Sequence, residues 1–450
     1  MLPLLALMAC TGDEPQPEPV LPTSLAEAPL SVRGDAGDLG GSALTAGDLD
    51  GDGATDLVVA GIGGRVTCVV PGTAGAHGLR EAGCLTPAAD FDFAGFAVAS
   101  GVDLDGDGAD ELLVGAPGSD LGGESAGAVW LVRGPVPPGE SAVDAGGEGW
   151  VASTAADALG TAVAFAGDAD GDGAEDALLG APGSDAGARD DGAVLLVDAR
   201  AADTESVATF VGGGAAPSAA KHAENVPGDG VGNAVCRAGD LDGDGLADVV
   251  VPAPGWDGGA ENGGAVGVFA GPIAAGTWSL ADADTLLLGV RAGGYAGGAV
   301  ACGGDTDGDG RGELLVGADA DGAGRVYLWR GGALDTGPIF VGDAAGDQAG
   351  YAVAFVPGSG GDAVAVGAPA ADDTAVDTGV VAIFAAPGAS GTLSFADADA
   401  RWAGEGAGDL AGTALAGVAD LDGAAGLLIG APYNRDPAPI GGAAYGVPAP

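Results

Sequence analysis

Aromatic side chains are scarce in this 450-residue chain: Phe, Trp and Tyr together make up 5% of it. Its core therefore has to be built mainly from small apolar residues. Cations are scarcer still. Fourteen Lys plus Arg stand against 65 Asp plus Glu, a formal charge of −51, which repels phosphates and argues against nucleic acid as a partner. Two histidines and five cysteines are too few for the His and Cys ligand sets of zinc or redox-metal sites. With His77, His222 and scattered arginines, no cluster of base and charge-neutralising groups and no Ser or Cys triad motif can be read. No apolar run reaches the about 20 residues that a membrane-spanning helix requires.

Glycine is abundant instead, with 91 Gly beside 27 Pro, a content at which low-complexity disorder must be weighed. Short Val/Leu/Ala runs of strand length, bounded by Gly, Asp and Pro, favour order. The excess negative charge opposes compaction unless bound cations offset it. The chain opens MLPLLALMAC and continues with the polar, Pro-rich TGDEPQPEPVLP. The "LMAC" resembles the lipobox of bacterial lipoprotein signal peptides, which implies a signal peptide over 1–9 and a lipidated Cys10, followed by a linker over 10–27. The other reading is an ordinary secretory signal or a mis-called start. Thr11 after Cys10, by resemblance to lipoprotein sorting, implies the outer membrane. The expected location is extracytoplasmic: outer membrane, cell surface or secreted. Membrane contact is expected through the lipid anchor alone, and a monomer is expected. Four further cysteines suit an oxidising compartment.

The stretch "AGDLDGDGATDLVVAG" near residue 50 recurs. Related copies begin with Asp103, Asp168, Asp240 and Asp305, and two worn copies lie near Val356 and Asp420, making seven units spaced 51 to 72 residues apart. Each unit holds about four short strands, so an all-β, seven-bladed propeller of four-stranded antiparallel blades is expected. A parallel β-helix is the runner-up, but its coils repeat over shorter spans. Unit seven stops after its third strand. The N-terminal "LSVRGDAGDLGGSALTAG" parallels "ARWAGEGAGDLAGTALAG" near the other end, so the segment around Leu30 to Arg33 is expected to complete the last blade and close the ring.

The motif D-x-D-G-D-G followed by an apolar strand and GAP, as in "DLDGDGADELLVGAP", resembles the FG-GAP repeats of integrin α-subunit propellers and related bacterial proteins. "FAGF" at Phe93 to Phe96 and "ALGT" at Ala158 to Thr161 are counterparts of the FG element. The resemblance covers about residues 28–447 and implies the propeller fold. It leaves function open, because one fold hosts many functions.

Calcium takes six to eight oxygens at about 2.3–2.6 Å. In a tight acidic turn, side chains at positions 1, 3, 5 and 9 and the carbonyl at 7 can converge on one ion, with glycines at 4 and 6. Five loops are complete in this sense: Asp48, Asp50, Asp52, Ala54 and Asp56; Asp103, Asp105, Asp107, Ala109 and Glu111; Asp168, Asp170, Asp172, Ala174 and Asp176; Asp240, Asp242, Asp244, Leu246 and Asp248; Asp305, Asp307, Asp309, Arg311 and Glu313. About five calcium ions are expected. An EF-hand is excluded because its position-12 Glu is replaced by Val59, Val114, Leu179, Val251 or Val316. Magnesium, with its small octahedral shell, suits these loops less well. The worn loops, over 356–362 with Asp362 and 420–426 with Asp420 and Asp422, are expected to hold no ion.

Such ions would join the first two strands of each blade, and chelation should loosen the protein. Recognition is expected on the opposite face, where the loops between second and third strands vary most. Trp256, Tyr433 and Arg435 are its candidate ligand residues, and the insertion over 212–230, with Lys221 and His222, reads as a tether. Cys68 with Cys84 and Cys236 with Cys302 are candidate disulfides. The second pair lies in first strands of adjacent blades, where two buried thiols remain an equal reading. The expected function is an extracytoplasmic binding or adhesion module for a protein or glycan, not an enzyme. A calcium-dependent polysaccharide lyase or a structural envelope lipoprotein are the alternatives.

Overall fold

Runs such as "ELLVGA" and "DALLGA" are apolar throughout because both of their faces are covered. In the computed structural model they are second strands of blades, and successive residues point alternately into the two neighbouring inter-blade cores. Leu57 and Val59 pack toward blade 7 while Val58 packs toward blade 2; Leu112 and Val114 face blade 1 while Leu113 faces blade 3. Repeated around the ring, this alternation produces seven cores, one at each joint between adjacent blades. The structure describes residues 23–450 apart from 64, 81–82, 90, 147, 187–190, 201–205, 213–227, 333–334, 374 and 437. The signal-peptide segment, Cys10, most of the proposed linker, Lys221 and His222 lie outside the described residues.

Seven sheets form the ring. Blade 1 comprises Gly40–Gly47, Asp56–Gly61, Val66–Pro71 and Gly83–Thr86. Blade 2 comprises Val98–Val102, Glu111–Ala116, Ala128–Val132 and Gly149–Val151, and blade 3 Ala162–Gly167, Asp176–Ala181, Ala193–Asp198 and Ala208–Val211. Blade 4 has Val249–Ala253, Ala265–Phe269 and Thr285–Leu288; the segment before its acidic loop joins no ladder, contrary to the four strands expected. Cys236 accordingly lies outside any strand. Blade 5 comprises Ala299–Gly304, Glu313–Ala318, Arg325–Arg330 and Asp335–Val341, and blade 6 Ala352–Val356, Ala363–Ala368, Val380–Phe384 and Ala400–Ala403. Blade 7 has Ala414–Leu421, Ala424–Ala431 and Ala443–Pro448.

The N-terminal strand Leu30–Arg33 completes blade 7 as expected, antiparallel to its third strand with Leu30 opposite Gly446 and Arg33 opposite Ala443. Arg33 fastens this closure. Its guanidinium donates to Glu405 at 2.5 Å and to Asn434 and the Tyr445 hydroxyl at 3.1 Å. Burial pushes the Glu405 carboxyl up, but the bonds from Arg33 outweigh it and hold the group below its ordinary value.

The glycines of the motif are explained by close backbone approach. A Cβ on Gly115 would lie 2.1 Å from the Gly160 carbonyl oxygen of the next blade, one on Gly180 2.1 Å from that of Gly232, and one on Gly430 2.1 Å from that of Gly41. The first residue of each FG counterpart sits in the left-handed region, for example Phe93 and Ala158 at φ 55° and Tyr295 at φ 51°. GAP and FG are thus the two halves of one inter-blade contact.

One feature was not legible in the repeat. Five blades carry a fifth, outer strand supplied by the following blade and running parallel to their fourth: Gly139–Ala142 on blade 1, Gly276–Ser279 on blade 3, Thr392–Ser394 on blade 5, Thr23–Ser24 on blade 6 and Gly75–Gly78 on blade 7. Both candidate disulfides are formed. Cys68–Cys84 links directly opposed residues of the third and fourth strands of blade 1, and Cys236–Cys302 spans blades 4 and 5.

Candidate metal centres and recognition face

Each complete acidic loop is held by its own backbone. The position-1 carboxylate accepts the N–H groups of the glycines at positions 4 and 6, at 2.6–3.0 Å in all five loops. Those glycines take positive φ, as at Gly51 (76°) and Gly53 (83°), which a Cβ would disfavour. The position-9 carboxylate, at the start of the second strand, accepts the N–H of position 2 at 2.5–3.2 Å. One oxygen of each position-9 group is thereby fixed. In Glu111, Asp176 and Glu313 the other oxygen is buried with no hydrogen-bond partner.

The carboxylates do converge. Asp48, Asp50 and Asp56 present oxygens within 4.8 Å of one another, as do Asp168 with Asp170 and Asp176, and Asp240 with Asp242 and Asp248. In the second and fifth loops the convergent sets are Asp103, Asp105 and Asp107, and Asp305, Asp307 and Asp309, so the expected ligands Glu111 and Glu313 fall outside the tightest groups. Asp52, Asp172 and Asp244 lie outside the tightest groups and cap the position-7 amides of Ala54, Ala174 and Leu246. Ala109 and Arg311 receive the same cap from Asp107 and Asp309. Burial, reinforced by the neighbouring carboxylates, pushes Asp56 up to about 6 and Asp176 up to about 7. Burial likewise raises Glu111, Asp248 and Glu313. Converging carboxylates crowded by like charges, with the unpartnered buried oxygen of Asp176 among them, suit a hard cation with oxygen ligands, so the donor set fits calcium.

The two loops with Glu at position 9 have a companion that sequence reading missed. Arg133 lies 3.8 Å from Asp105, and Arg330 pairs with Asp307 and lies 3.5 Å from Glu313. The registers Leu112 to Val132 and Leu314 to Trp329 place each arginine one step further on, across from its glutamate. The usable signal was an Arg closing the apolar third-strand run in "VWLVR" and "VYLWR".

These loops also join blades. The Asp48 N–H donates to Asp110 at 2.8 Å while the Asp110 N–H donates to the Asp48 carbonyl at 2.7 Å. Carbonyls of Leu49 and Ala169 accept from Val136 and Ile273 of the following blades at 2.9 and 2.7 Å. The Asp retained in the worn sixth loop is explained in the same way: Asp362 accepts the Asp305 N–H at 3.0 Å and donates its own N–H to the Asp305 carbonyl at 2.8 Å. The worn seventh loop is reduced to a tight hairpin turn at Asp422 and Gly423, both at positive φ.

On the opposite face the three candidate residues separate. Tyr433 (43% exposed) and Arg435 are accessible. Trp256 is a correction: at 7% exposure it packs in the core between blades 3 and 4, because the loop folds back and brings Gly258 against its indole. The more prominent feature was missed. Phe91 (64% exposed), Phe93 and, in the adjoining loop, Leu121 (62%) are accessible, and the Arg65 guanidinium stands 4.4 Å from the centre of the Phe91 ring. Gly118, which opens that loop, donates to the Asp92 carbonyl at 3.1 Å, so the two segments adjoin. Phe91 itself holds φ 71°, a conformation costly for an aromatic residue. "FDFAGF" was the available signal, with three of the ten phenylalanines in six residues.

The family model described as FG-GAP repeat matches residues 94–132 and 231–269. A solved structure described as the Dos1 propeller is 11% identical, with a TM-score of 0.44, covering 87% of this chain and 74% of that one. No curated protein matches the chain. Two segments of the chain thus match the FG-GAP repeat, within a seven-bladed, all-β propeller, a fold suggestive of a binding module.

Proposed function

We propose that this protein is an extracytoplasmic binding module, stabilised by calcium in its five complete loops, that engages a protein or glycan through the face opposite those loops. The observation that carries the reading is the accessible apolar and aromatic surface of Phe91, Phe93 and Leu121 on the variable face, extended by a strained Phe91 under Arg65. Exposed aromatics beside an arginine are the side chains that dominate recognition surfaces. In a chain with so few aromatics, leaving them in solvent is not required by packing. The metal loops serve this face indirectly by fastening strands and blades behind it.

The test compares the calcium-loaded protein with Phe91→Ser combined with Leu121→Ser, and with Tyr433→Ser, on a glycan array and against extracted envelope proteins. Selective binding that the first variant abolishes and chelation weakens supports the reading. Binding indifferent to all loop-face substitutions, or turnover of an acidic glycan, overturns it.

A further inference from the structure

The joint between blades 4 and 5 lacks a part that five other joints possess. Each donated outer strand is followed by one buried apolar side chain that enters the wedge between two blades: Leu79, Val143, Leu280, Phe395 and, from the N-terminal segment, Leu25. Three of these plugs share a sequence, Ser-Leu-Ala-Glu over 24–27, Ser-Leu-Ala-Asp over 279–282 and Ser-Phe-Ala-Asp over 394–397, each forming a single helical turn. In the last two, the serine N–H and hydroxyl both donate to Asp282 or Asp397 at 2.8 Å. That capping box fixes the turn that directs the plug inward.

The third strand of blade 5 ends at Arg330 and its fourth begins at Asp335, and among the described residues no strand lies along Thr285–Leu288 and no plug enters this joint. An apolar groove of about 480 Å³ is found there, lined by Leu287, Leu288, Val290, Tyr327, Trp329 and Ile339. The registers Val249 to Phe269, Leu314 to Trp329 and Val364 to Phe384 make Trp329 the counterpart of two phenylalanines that share cores with Leu280 and Phe395. Trp329 stays half-buried, and Leu288 (41%) and Val290 (76%) are left exposed.

We propose that this joint is a docking site for an extended segment of another protein, which adds as a strand parallel to Thr285–Leu288 and inserts one Leu or Phe side chain over Trp329. The occupant's chemistry follows from two of the filled joints, where Thr-x-Ser is followed by Leu280 or Phe395 and then by Ala and Asp. An open sheet edge with an adjoining apolar pocket is the geometry of recognition by strand addition. The groove lies at the blade edge, away from the loop face, and the inference does not rest on the function proposed above.

The probe is a fluorescein-labelled peptide with the sequence of residues 390–397, SGTLSFAD, titrated with the full calcium-loaded protein and followed by polarisation. Saturable one-to-one binding is expected, with slowed hydrogen exchange of the Thr285–Leu288 amides and a change in Trp329 fluorescence in the unsubstituted protein. Binding should be lost when the peptide's Phe becomes Asp, and lost in Leu288→Asp or Val290→Arg proteins with unchanged melting. No saturable binding, binding insensitive to these changes, or sedimentation showing the groove filled by a second copy overturns the proposal.

Discussion

Blades 5 and 6 meet differently from blades 4 and 5. At the first joint the rings of Phe340 and Phe384 lie 4.7 Å apart in one core with the Phe395 plug, and Thr392–Ser394 covers the edge of blade 5. At the second, Trp329 occupies the position of Phe384 with no plug, Pro252 stands where the GAP glycine would be, and the Cys236–Cys302 disulfide spans the joint. A Cβ on Gly297, the FG counterpart there, would lie 3.1 Å from both the Ala265 oxygen and the Pro252 Cβ, whereas one on Gly160 would lie 3.0 Å from the Cα of its partner Gly115. The comparison teaches that the repeat tolerates two kinds of fastening. Joint 5/6 has a buried donated side chain and joint 4/5 a covalent link, while among the described residues joint 2/3 has neither.

On the proposed calcium binding, removing the ions should have the largest effect, because four of the five complete loops also hydrogen-bond to the next blade. Each ion contributes about 2.7 kcal/mol when its free concentration is a hundredfold above its dissociation constant. Melting in chelator should therefore fall steeply, and hydrogen exchange should rise first at joint 4/5 when reductant is added. The pH dependence should also change sign. In the calcium-free fold Asp56 and Asp176 are raised from 3.8 to about 6 and about 7, so the folded state holds protons that the unfolded chain releases. Its stability should fall as pH rises from about 4 to 7. Calcium binding favours the ionised carboxylates, so the loaded protein should instead gain stability over that range.

The plug is the next most sensitive element. Phe395→Ala should cost about 3–5 kcal/mol in a denaturant titration, whereas Leu288→Ser in the open groove should stay within about 0.5 kcal/mol. Equal costs would remove the distinction between the joints. Replacing both Cys236 and Cys302 by Ser should cost about 4 kcal/mol, against about 3 kcal/mol for the Cys68 and Cys84 pair, because the closed chain segment is longer. A smaller loss at Cys236 and Cys302 would show that the staple does not replace the plug. Smallest is the glycine contact. Gly317→Ala, whose Cβ would lie 2.2 Å from the Gly350 oxygen, should cost about 1–3 kcal/mol by differential scanning calorimetry, and Pro252→Ala under about 0.5 kcal/mol.

Much of this was legible locally. The acidic loops announce themselves because all their donors fall within nine consecutive residues, and the closing strand because its sequence parallels its counterpart in blade 6. The donated strands escaped notice because their partners belong to other blades, and a signature of four residues, Ser-Leu/Phe-Ala-Asp/Glu, occurs in only three of five. Arg133 and Arg330 escaped because a cross-strand neighbour is adjacent in register but distant in sequence. Trp256 was misplaced because a loop tryptophan offers no local sign of whether the loop folds back over it.

The amino-acid sequence by itself determined seven repeats, the five carboxylate clusters and the order of strands, since each depends on groups close together along the chain. Tertiary structure decided which joints are plugged and which are stapled, why Asp362 survives in a worn loop, and where aromatic surface is left to solvent. Those outcomes depend on contacts between blades, whose partners lie about a whole repeat apart.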